Sequence, residues 1–363
     1  MLSKWEIRQG DVRQLIVDQP PASIDCVITS PPFWRVRDFG HDDQIGMEDT
    51  LNGFLDDLIG VFAAIRPVLK STATVWVEFG DAHNNGFIGR TDKAFLQTRN
   101  QAIPVNVDVG KKSLIGAPWR FATRMIDAGW ILRNVVVWQR PAPVPEAVLD
   151  RLTHSWTPVF LFANTPRYYF NLDEIRVPTA RQNTASWQDV VRNKTAGLDV
   201  GLHETSAWRR AGYVGNDAGR NPGDVWSIPP DRLTIKDSDH TARFPEALVA
   251  MCLLAGCPRH VCGSCGSVPV PSRKGLRLSC ACGTGADMTP GTVFDPFCGS
   301  GTVPAVALRY GYHALGYDLL EDYCVLSRKR CMIAAEQPAI DLRRNEQVRP
   351  VQGSFLAGYG EDD

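Results

Sequence analysis

The chain has 363 residues, 44% of them hydrophobic and 22% charged, with a formal net charge of −1. This length and apolar content predict a globular protein with one large domain and a smaller one. The near-neutral charge identifies no partner, and it does not exclude nucleic acid because a basic face can lie on a neutral body. The N-terminal stretch MLSKWEIRQGDVRQL contains no apolar signal core, and no stretch approaches a membrane span in length. We therefore expect a cytoplasmic protein with no membrane partner.

Short β-branched runs alternate with amphipathic helices along the chain. This alternation is typical of an α/β protein with a doubly wound, mostly parallel sheet that helices cover on both faces. In the first part of the chain the predicted strands are 5–8, 23–29, 72–79, 131–138 and 158–162. The predicted helices there are 51–69, capped by Asp49 or Thr50, and 118–128. In the last part we predict helices at 245–255, from 301 and from 321, and strands at 292–295 and 312–318.

Two long stretches interrupt this alternation. Residues 81–115 lack periodicity, and a stretch of this length is typical of a lid or of a disordered segment. Residues 176–220 contain seven basic and four acidic residues, with two tryptophans and a tyrosine interleaved. This composition predicts a nucleic-acid-facing insert at 176–240, although an ordinary solvated surface fits it almost as well.

A proline pair follows the second predicted strand, where residues 28–34 read ITSPPFW. Proline lacks a backbone N–H and has a fixed φ, so Pro31 and Pro32 end strand pairing and hold their carbonyl groups in one orientation. Taken alone, the stretch is typical of a stiff turn after a strand, because prolines commonly occur in loops. A catalytic interpretation depends on a second motif near the other end of the chain.

That second motif is a glycine loop between a strand and a helix, where residues 293–302 read VFDPFCGSGT. Gly299 and Gly301 allow a ligand to approach the backbone, and a helix N-terminus favours a negative group such as a carboxylate. A dinucleotide site would have a third glycine where Pro304 stands, and the Lys-Ser/Thr ending of a phosphate loop does not occur here. Asp318 ends the next strand, where an acid can accept hydrogen bonds from both ribose hydroxyls. The predicted ligand is a nucleoside with a carboxylate and no phosphates, and S-adenosylmethionine fits that description.

Together the two motifs resemble those of the amino-group DNA methyltransferases. The stretch DPFCGSGT is similar to the family's cofactor motif, and ITSPPF is similar to its catalytic motif. The catalytic motif comes first, as in the permuted group often called beta. The resemblance spans most of residues 5–335 and implies a Rossmann-like, circularly permuted methyltransferase fold. Other stretches that agree with the family are Gly10-Asp11, VWQRP at 137–141 and RFPEAL at 243–248.

The resemblance implies methyl transfer to an exocyclic amine of a base in double-stranded DNA. Such an amine is a poor nucleophile, because its lone pair is delocalised into the ring. Ser30 Oγ and the Pro31 carbonyl, held rigidly by Pro32, are the expected acceptors for its two N–H groups. Phe33 is expected to stack on the target base once it is turned out of the duplex, whereas we expect Trp34 to pack in the core. We find no evident general base in the sequence.

The family pattern also bears on the cofactor and on the base. It associates Thr-Ser-Pro-Pro-Phe/Tyr with cytosine N4 and Asp-Pro-Pro-Tyr more often with adenine N6. We therefore expect cytosine N4, with adenine N6 as the alternative. The residues expected to contact S-adenosylmethionine are Asp11 at its adenine, Asp318 at its ribose, and Asp295, Phe297, Gly299, Gly301, Pro245 and Glu246 at its methionine end.

Nine of the ten cysteines lie in the last third of the chain. The run CGSCG at 262–266 is typical of a zinc knuckle, and CACG at 280–283 is a less regular second half. The expected ligands of one structural zinc are Cys262, Cys265, Cys280 and Cys282. Cys257 or His260 could replace one of them, and free thiols in a reducing cytosol are the other interpretation. The cysteines expected to be packing residues are Cys252, Cys298, Cys324 and Cys331.

These assignments divide the chain into units. We expect the catalytic half at 1–175, a recognition insert at 176–240, the cofactor half at 241–256 and 290–337, a zinc-ribbon insert at 257–289, and a tail at 338–363. A zinc-ribbon DNA-binding protein without catalysis, and a methyltransferase for RNA or protein, are the rival functions. The intact Ser30, Asp295 and Asp318 argue against the first rival. A homodimer and a cognate restriction endonuclease are partners that the sequence leaves open.

Overall fold

The computed structural model describes most of the predicted elements. The described residues are 3–84, 87–88, 103–104, 109–143, 145–177, 219–231, 245–272, 275–278, 280, 282, 287–340, 342 and 349–350. Most of the predicted insert at 176–240 and of the tail therefore lies outside them, as do Arg243, Phe244, Arg273 and Lys274.

A mixed, mostly parallel sheet forms the centre of the described fold. In spatial order its nine strands, numbered along the chain, are β1 (Trp5–Gln9), β14 (His313–Asp318), β13 (Thr292–Asp295), β2 (Ile24–Thr29), β3 (Leu69–Glu78), β7 (Trp156–Ala163), β6 (Ile131–Gln139), β8 (Val225–Ser227) and β15 (Arg349–Pro350). The first five in this order run parallel, whereas β7 is antiparallel to both of its neighbours. The predicted fold class, a mostly parallel α/β sheet, is confirmed.

Small hairpins accompany the main sheet. They pair β4 (Phe87–Ile88) with β5 (Ile103–Pro104), β9 (His260–Cys262) with β12 (Met288–Pro290), and β10 (Pro269–Ser272) with β11 (Gly275–Leu278). All three are antiparallel. The second and third lie in the cysteine-rich stretch between two elements of the main fold.

Helices cover both faces of the main sheet. They are α1 (Val12–Leu15), α2 (Leu51–Ile65), α3 (Ala117–Asp127), α4 (Glu246–Gly256), α5 (Thr302–Arg309) and α6 (Glu321–Ala334). One core lies on the face covered by α4 and α5, and a second core lies on the face covered by α2 and α3. Helix α4 is buried along almost its whole length because it packs against β2, β3, α5 and the 3₁₀ turn at Leu172–Ile175. No helix in the described ranges is long and apolar enough to cross a membrane.

The start and end of α2 have clear local causes. Thr50, one of the two predicted caps, accepts a hydrogen bond from the Gly53 N–H at 3.0 Å. The apolar residues predicted at helical spacing are all buried. The helix ends earlier than the predicted residue 69, because Pro67 has no N–H to continue the ladder and lies in a 3₁₀ turn. Leu69 instead begins β3.

A buried ion pair joins three central strands. Asp25 on β2 is 1% exposed, and its Oδ1 accepts a hydrogen bond from Lys70 Nζ of β3 at 2.8 Å. Its Oδ2 accepts one from the Thr292 N–H at the start of β13, at 2.9 Å. Burial raises the pKa of Asp25, and the charge of Lys70 opposes this. This contact holds the amino-terminal edge of β2, β3 and β13 together.

Lys70→Met should lower the free energy of unfolding by about 3–5 kcal/mol, because it leaves the Asp25 carboxylate buried without its cation. The double variant Asp25→Asn/Lys70→Met should lose less, since an amide needs no countercharge. Urea denaturation of the three proteins at pH 7 measures both values. If Lys70→Met lowers the free energy of unfolding by less than about 1 kcal/mol, as for a solvent-exposed ion pair, the buried pair does not stabilise the fold as described.

Candidate active site

The predicted site residues lie at one edge of the sheet. Strands β1, β14, β13, β2 and β3 run parallel and adjacent, so their carboxyl ends meet there. The two motifs are 266 positions apart at their point of contact, where Thr29 Oγ1 donates to Asp295 Oδ1 at 2.7 Å. The structure therefore brings the catalytic and cofactor motifs into direct contact.

The glycine loop is fixed by hydrogen bonds to the ends of β13 and β14. Asp295 Oδ1 accepts from the Phe297 N–H at 3.1 Å, and Asp318 Oδ2 accepts from the Gly299 N–H at 2.7 Å. Gly301 is the N-cap of α5 and has a φ of 78°. A Cβ atom there would lie 2.2 Å from Ser327 Oγ, so the close approach of α6 also requires glycine at this position. The loop is thus bounded by two acids on one side and by α6 on the other.

Asp295 is buried and Asp318 is half-buried, and the pKa of each carboxyl is raised. Burial raises the pKa of Asp295 to about 7, and the nearby charge of Asp318 adds to the effect. Burial also raises the pKa of Asp318, opposed by hydrogen bonds from the N–H groups of Leu320 and Gly299. The carboxylates at this edge therefore favour a cationic ligand over an anionic one.

Asp11 lies beside Asp318, since the preceding residue, Gly10, donates its N–H to the Asp318 carbonyl at 2.8 Å. The Asp11 carboxylate caps α1 by accepting from the Arg13 N–H at 2.8 Å, and it forms an ion pair with the Arg13 side chain at 2.6 Å. Burial alone would raise the pKa of Asp11, but the hydrogen bonds from Arg13 outweigh it and lower the pKa. Asp11 is thus placed at the predicted site with its carboxylate already paired.

Ser30 meets an acid that sequence reasoning missed. Its Oγ donates to Oε2 of Glu78 at 2.5 Å. Glu78 ends β3, and the pairing of Thr29 with Val77 brings the next residue of each strand side by side. Burial raises the pKa of Glu78 to about 7, opposed by the Ser30 hydrogen bond and by the charge of Arg140. The available signal was an acid at the end of an otherwise apolar strand, TVWVEF.

The aromatic part of the catalytic motif packs against the end of β3. Phe33 is half-buried, and its ring centroid lies 5.7 Å from that of Phe79. A Cβ on Gly80 would lie 2.7 Å from Phe33 Cε2, so glycine is needed for this placement. Trp34 is 4% exposed and donates to the Glu48 carbonyl at 2.9 Å, which confirms the expectation that it packs in the core. Of the two prolines, Pro31 is buried and Pro32 is half-buried.

Pro245 and Glu246 stand at the start of α4. The Glu246 carboxylate accepts from Arg309 Nη1 at 2.7 Å and from Arg330 Nη2 at 3.0 Å. Both of its oxygens are therefore engaged by arginines. Pro245 is buried at the N-cap position of the helix.

Four cysteine sulfurs meet next to β9 and β12. They are the predicted ligands Cys262, Cys265, Cys280 and Cys282, whose Sγ atoms all lie within 4.8 Å of one another. Four of the six sulfur–sulfur separations lie between 2.6 Å, for Cys280 and Cys282, and 3.6 Å, for Cys262 and Cys282. Sulfurs around a tetrahedral zinc, each about 2.3 Å from the ion, are about 3.8 Å apart. The donor set of four thiols therefore fits zinc, and these four sulfur separations are shorter than those around a bound ion. Cys257, a proposed alternative ligand, is fully buried in the core.

The remaining cysteines behave as packing residues. Cys252, Cys298, Cys324 and Cys331 are all buried, as expected. Cys298 Sγ contacts Ser327 Oγ at 3.2 Å, which adds to the packing of α6 against the glycine loop.

Comparisons with known proteins agree with this geometry. The chain is 30% identical over 336 residues to the type II methyltransferase M.SmaI of Serratia marcescens, covering 91% of this chain and 92% of that protein. It is 29% identical to the type II methyltransferase M.Cfr9I of Citrobacter freundii, covering 89% and 86%. Its fold is similar to that of the solved PvuII DNA methyltransferase (cytosine-N4-specific), with a TM-score of 0.55 and 17% identity over 91% of this chain and 87% of that one.

The family model also covers the parts of the chain that build the site. It describes a DNA methylase that modifies N6 or N4 amino groups, and it matches residues 24–329, from the start of β2 into α6. The matched range contains the catalytic motif, the glycine loop and Asp318. The chain therefore belongs to the N6/N4 DNA methylase family, and it is an S-adenosylmethionine-dependent DNA amino-methyltransferase.

Proposed function

We propose that this enzyme methylates cytosine N4 at specific sites in double-stranded DNA, on a base turned out of the duplex. The observation that carries the proposal is the hydrogen bond from Ser30 Oγ to buried Glu78. A hydroxyl has one proton and two lone pairs. Because the proton points to Glu78, Ser30 presents lone pairs to an incoming amine.

The Pro31 carbonyl would be the second acceptor. Two acceptors for the two N–H groups of the amine favour a pyramidal nitrogen with an available lone pair. The proline pair fixes the carbonyl before the substrate arrives, so no reorganisation is needed during the reaction. Phe33, supported by Phe79, would stack on the extruded base.

Glu78 supplies a destination for the proton that the reaction releases. When bound, S-adenosylmethionine supplies the methyl group: the S–CH₃ bond breaks, an N–CH₃ bond forms, and the amine gives up one proton. Ser30 can pass that proton to Glu78 as it donates its own. A carboxylate with a pKa of about 7 is suited to such a task near neutral pH.

The residues at the glycine-loop edge suit the cofactor. Asp318 would accept hydrogen bonds from the ribose hydroxyls, and Asp11 would face the adenine. Phe297 and the loop with Gly299 and Gly301 would hold the methionine end beside the N-terminus of α5. Buried Asp295 would favour the positive sulfonium.

The choice of cytosine over adenine is supported by Ser30 in place of an aspartate at the head of the Pro-Pro motif. The PvuII enzyme with the similar fold is named as cytosine-N4-specific. Adenine N6 is the alternative, because the same acceptors can serve either amine. Hydrolysis of methylated DNA followed by mass spectrometry of the nucleosides tests the proposal: N4-methylcytosine supports it, and N6-methyladenine would replace it with the alternative.

The chain order supports a circularly permuted sheet. Strands β13 and β14 come near the end of the chain but lie between β1 and β2 in space. In this permuted methyltransferase domain the proposed catalytic half is 1–175, and the proposed cofactor half is 241–256 and 290–337. The proposed recognition insert at 176–240 would contact DNA, and β8 (Val225–Ser227) would anchor it to the main sheet. A homodimer, a cognate endonuclease and a cytoplasmic location fit a restriction-modification role.

We also propose one structural zinc in the insert at 257–289. The clustered sulfurs support it, because metal binding can replace a hydrophobic core in so small a unit. Four thiolates leave no open coordination position, so this metal would support the fold without a part in catalysis.

Ser30→Ala should lower turnover by about 10²–10³-fold, the loss expected for one preorganised hydrogen bond, while cofactor affinity barely changes. Ser23→Ala is the matched control, since Ser23 Oγ bonds only to the Pro20 carbonyl just before the same strand. Steady-state kinetics and calorimetric titration with S-adenosylmethionine measure the two quantities. An equal loss of cofactor affinity would refute the assignment of Ser30 to the amine.

The pH dependence should report on Glu78. Turnover should rise with pH through a midpoint near or somewhat below 7, because ionised Glu78 accepts the Ser30 proton and a bound sulfonium lowers its pKa. Glu78→Gln should be slower at pH 8 and should lose this limb of the pH–rate profile. A limb that survives in the variant would point to Asp295, whose pKa is also about 7.

Purified protein should contain about one zinc per chain, and Cys262→Ser should lose both the metal and thermal stability. Cys331→Ala is the control, because Cys331 is buried outside the sulfur cluster and should leave the zinc content unchanged. Plasma mass spectrometry and thermal melts give the two readouts. Metal-free wild-type protein with full activity would rule the zinc site out.

A further inference from the structure

The back of the glycine loop is held by a guanidinium on α6. Arg330 Nη1 donates to the Ser300 carbonyl at 3.1 Å, to Ser300 Oγ at 3.2 Å and to Thr302 Oγ1 at 3.0 Å. The Arg330 side chain is only 14% exposed. Ser300 and Thr302 flank Gly301, the residue at which the loop turns into α5. One side chain therefore fixes both sides of that turn.

The other end of this guanidinium is fixed in turn. Arg330 Nη2 donates to Glu246 Oε1 at 3.0 Å, and Arg309 Nη1 donates to Glu246 Oε2 at 2.7 Å. The Glu246 N–H donates to Asp231 Oδ2 at 2.9 Å, which anchors the start of α4. The two arginines of this cluster are balanced in charge by Glu246 and Asp231.

A second residue of α6 reinforces this contact. Ser327 lies one turn before Arg330, so both face the same side of the helix. Its Oγ contacts Cys298 Sγ at 3.2 Å and comes so close to Gly301 that no side chain fits there. The loop backbone is thus pressed between α6 behind it and the acids Asp295 and Asp318 in front.

We propose that Arg330 is a positioning residue for the cofactor: it sets the shape of the glycine loop that holds the methionine end. Glu246 then acts through Arg330 by fixing its guanidinium, rather than by touching the ligand. The N-terminus of α5, whose turn Arg330 fixes, favours the methionine carboxylate. This inference rests on the proposed role of the loop in binding the cofactor.

The geometry requires an arginine in particular. A planar guanidinium presents several N–H groups in fixed directions and can bridge Ser300, Thr302 and Glu246 at once. A lysine ammonium in the same place keeps the charge but is a compact point donor on a flexible stem. Arg330→Lys therefore keeps the positive charge and removes the bridging hydrogen bonds, so it distinguishes the effects of the two.

The test compares Arg330→Ala, Arg330→Lys and Arg328→Ala with the wild type, using calorimetric titration with S-adenosylmethionine and with S-adenosylhomocysteine. Arg328 is the matched control: it lies on the same helix, pairs with Glu321 at 2.8 Å and donates to the Ile7 carbonyl at 3.2 Å, away from the loop. We expect Arg330→Ala to weaken both ligands by about 10–100-fold, Arg330→Lys to recover part of that loss, and Arg328→Ala to bind as wild type.

Kinetics and melting temperatures distinguish positioning from general stability. In Arg330→Ala the KM for S-adenosylmethionine should rise, while the KM for DNA and the turnover at saturating cofactor should change little. Both Arg330→Ala and Arg328→Ala should lower the melting temperature, but only Arg330→Ala should lose cofactor affinity. If Arg330→Ala does not fold, Arg330→Lys and Glu246→Gln carry the test, and each should weaken cofactor binding.

The outcomes separate this inference from the proposed function. If the wild type binds S-adenosylmethionine and the Arg330 variants bind it equally well, Arg330 is only a structural residue and the inference is wrong. If the variants lose cofactor and DNA affinity to the same extent, the effect is a general loss of structure and the inference is likewise wrong. A wild type that does not bind S-adenosylmethionine would instead refute the proposed role of the loop.

Discussion

The parallel pairing of β2 with β13 is the constraint on which the site depends. It places the end of the catalytic strand beside the start of the glycine loop, and the hydrogen bond from Thr29 to Asp295 joins them. The Asp25 contacts with Lys70 and Thr292 hold the opposite end of the same strands. If this register shifted by one residue, Ser30 would point to the other face of the sheet. The geometry of the reaction centre is thus set by strand pairing and not by the loops alone.

Burial of acids at this edge is the main electrostatic feature. Glu78, Asp295 and Asp318 end three of the parallel strands, and burial raises the pKa of each. Taking carboxylates out of water costs free energy that a nearby positive charge can offset. A sulfonium ligand and an amine that loses a proton both bring such a charge. The acids at this edge, whose pKa values burial raises, are therefore the groups that suit methyl transfer.

The two sides of the glycine loop have different tasks. Its front faces the acids and would present backbone to the proposed cofactor, whereas its back is packed by α6 and by the guanidinium of Arg330. Glycine is required at position 301 for two reasons, the positive φ of the backbone and the close approach of α6. The cysteine insert enters the chain between α4 and β13, on the path that leads to this loop. Stability of that insert is therefore expected to influence how firmly the loop is held.

The sequence by itself determined the parts of this protein that depend on local patterns. Apolar spacing predicted the strands and helices of the described core, and the motifs at 28–33 and 295–302 identified the family. Cysteine spacing predicted the four sulfurs that meet at one point. Tertiary structure alone decided which distant side chains pair. Glu78 meets Ser30 through the register of β2 and β3, and Glu246 turns to Arg330 across 84 positions. Such pairs depend on strand order and helix packing, which bring together residues that no local pattern of the sequence connects.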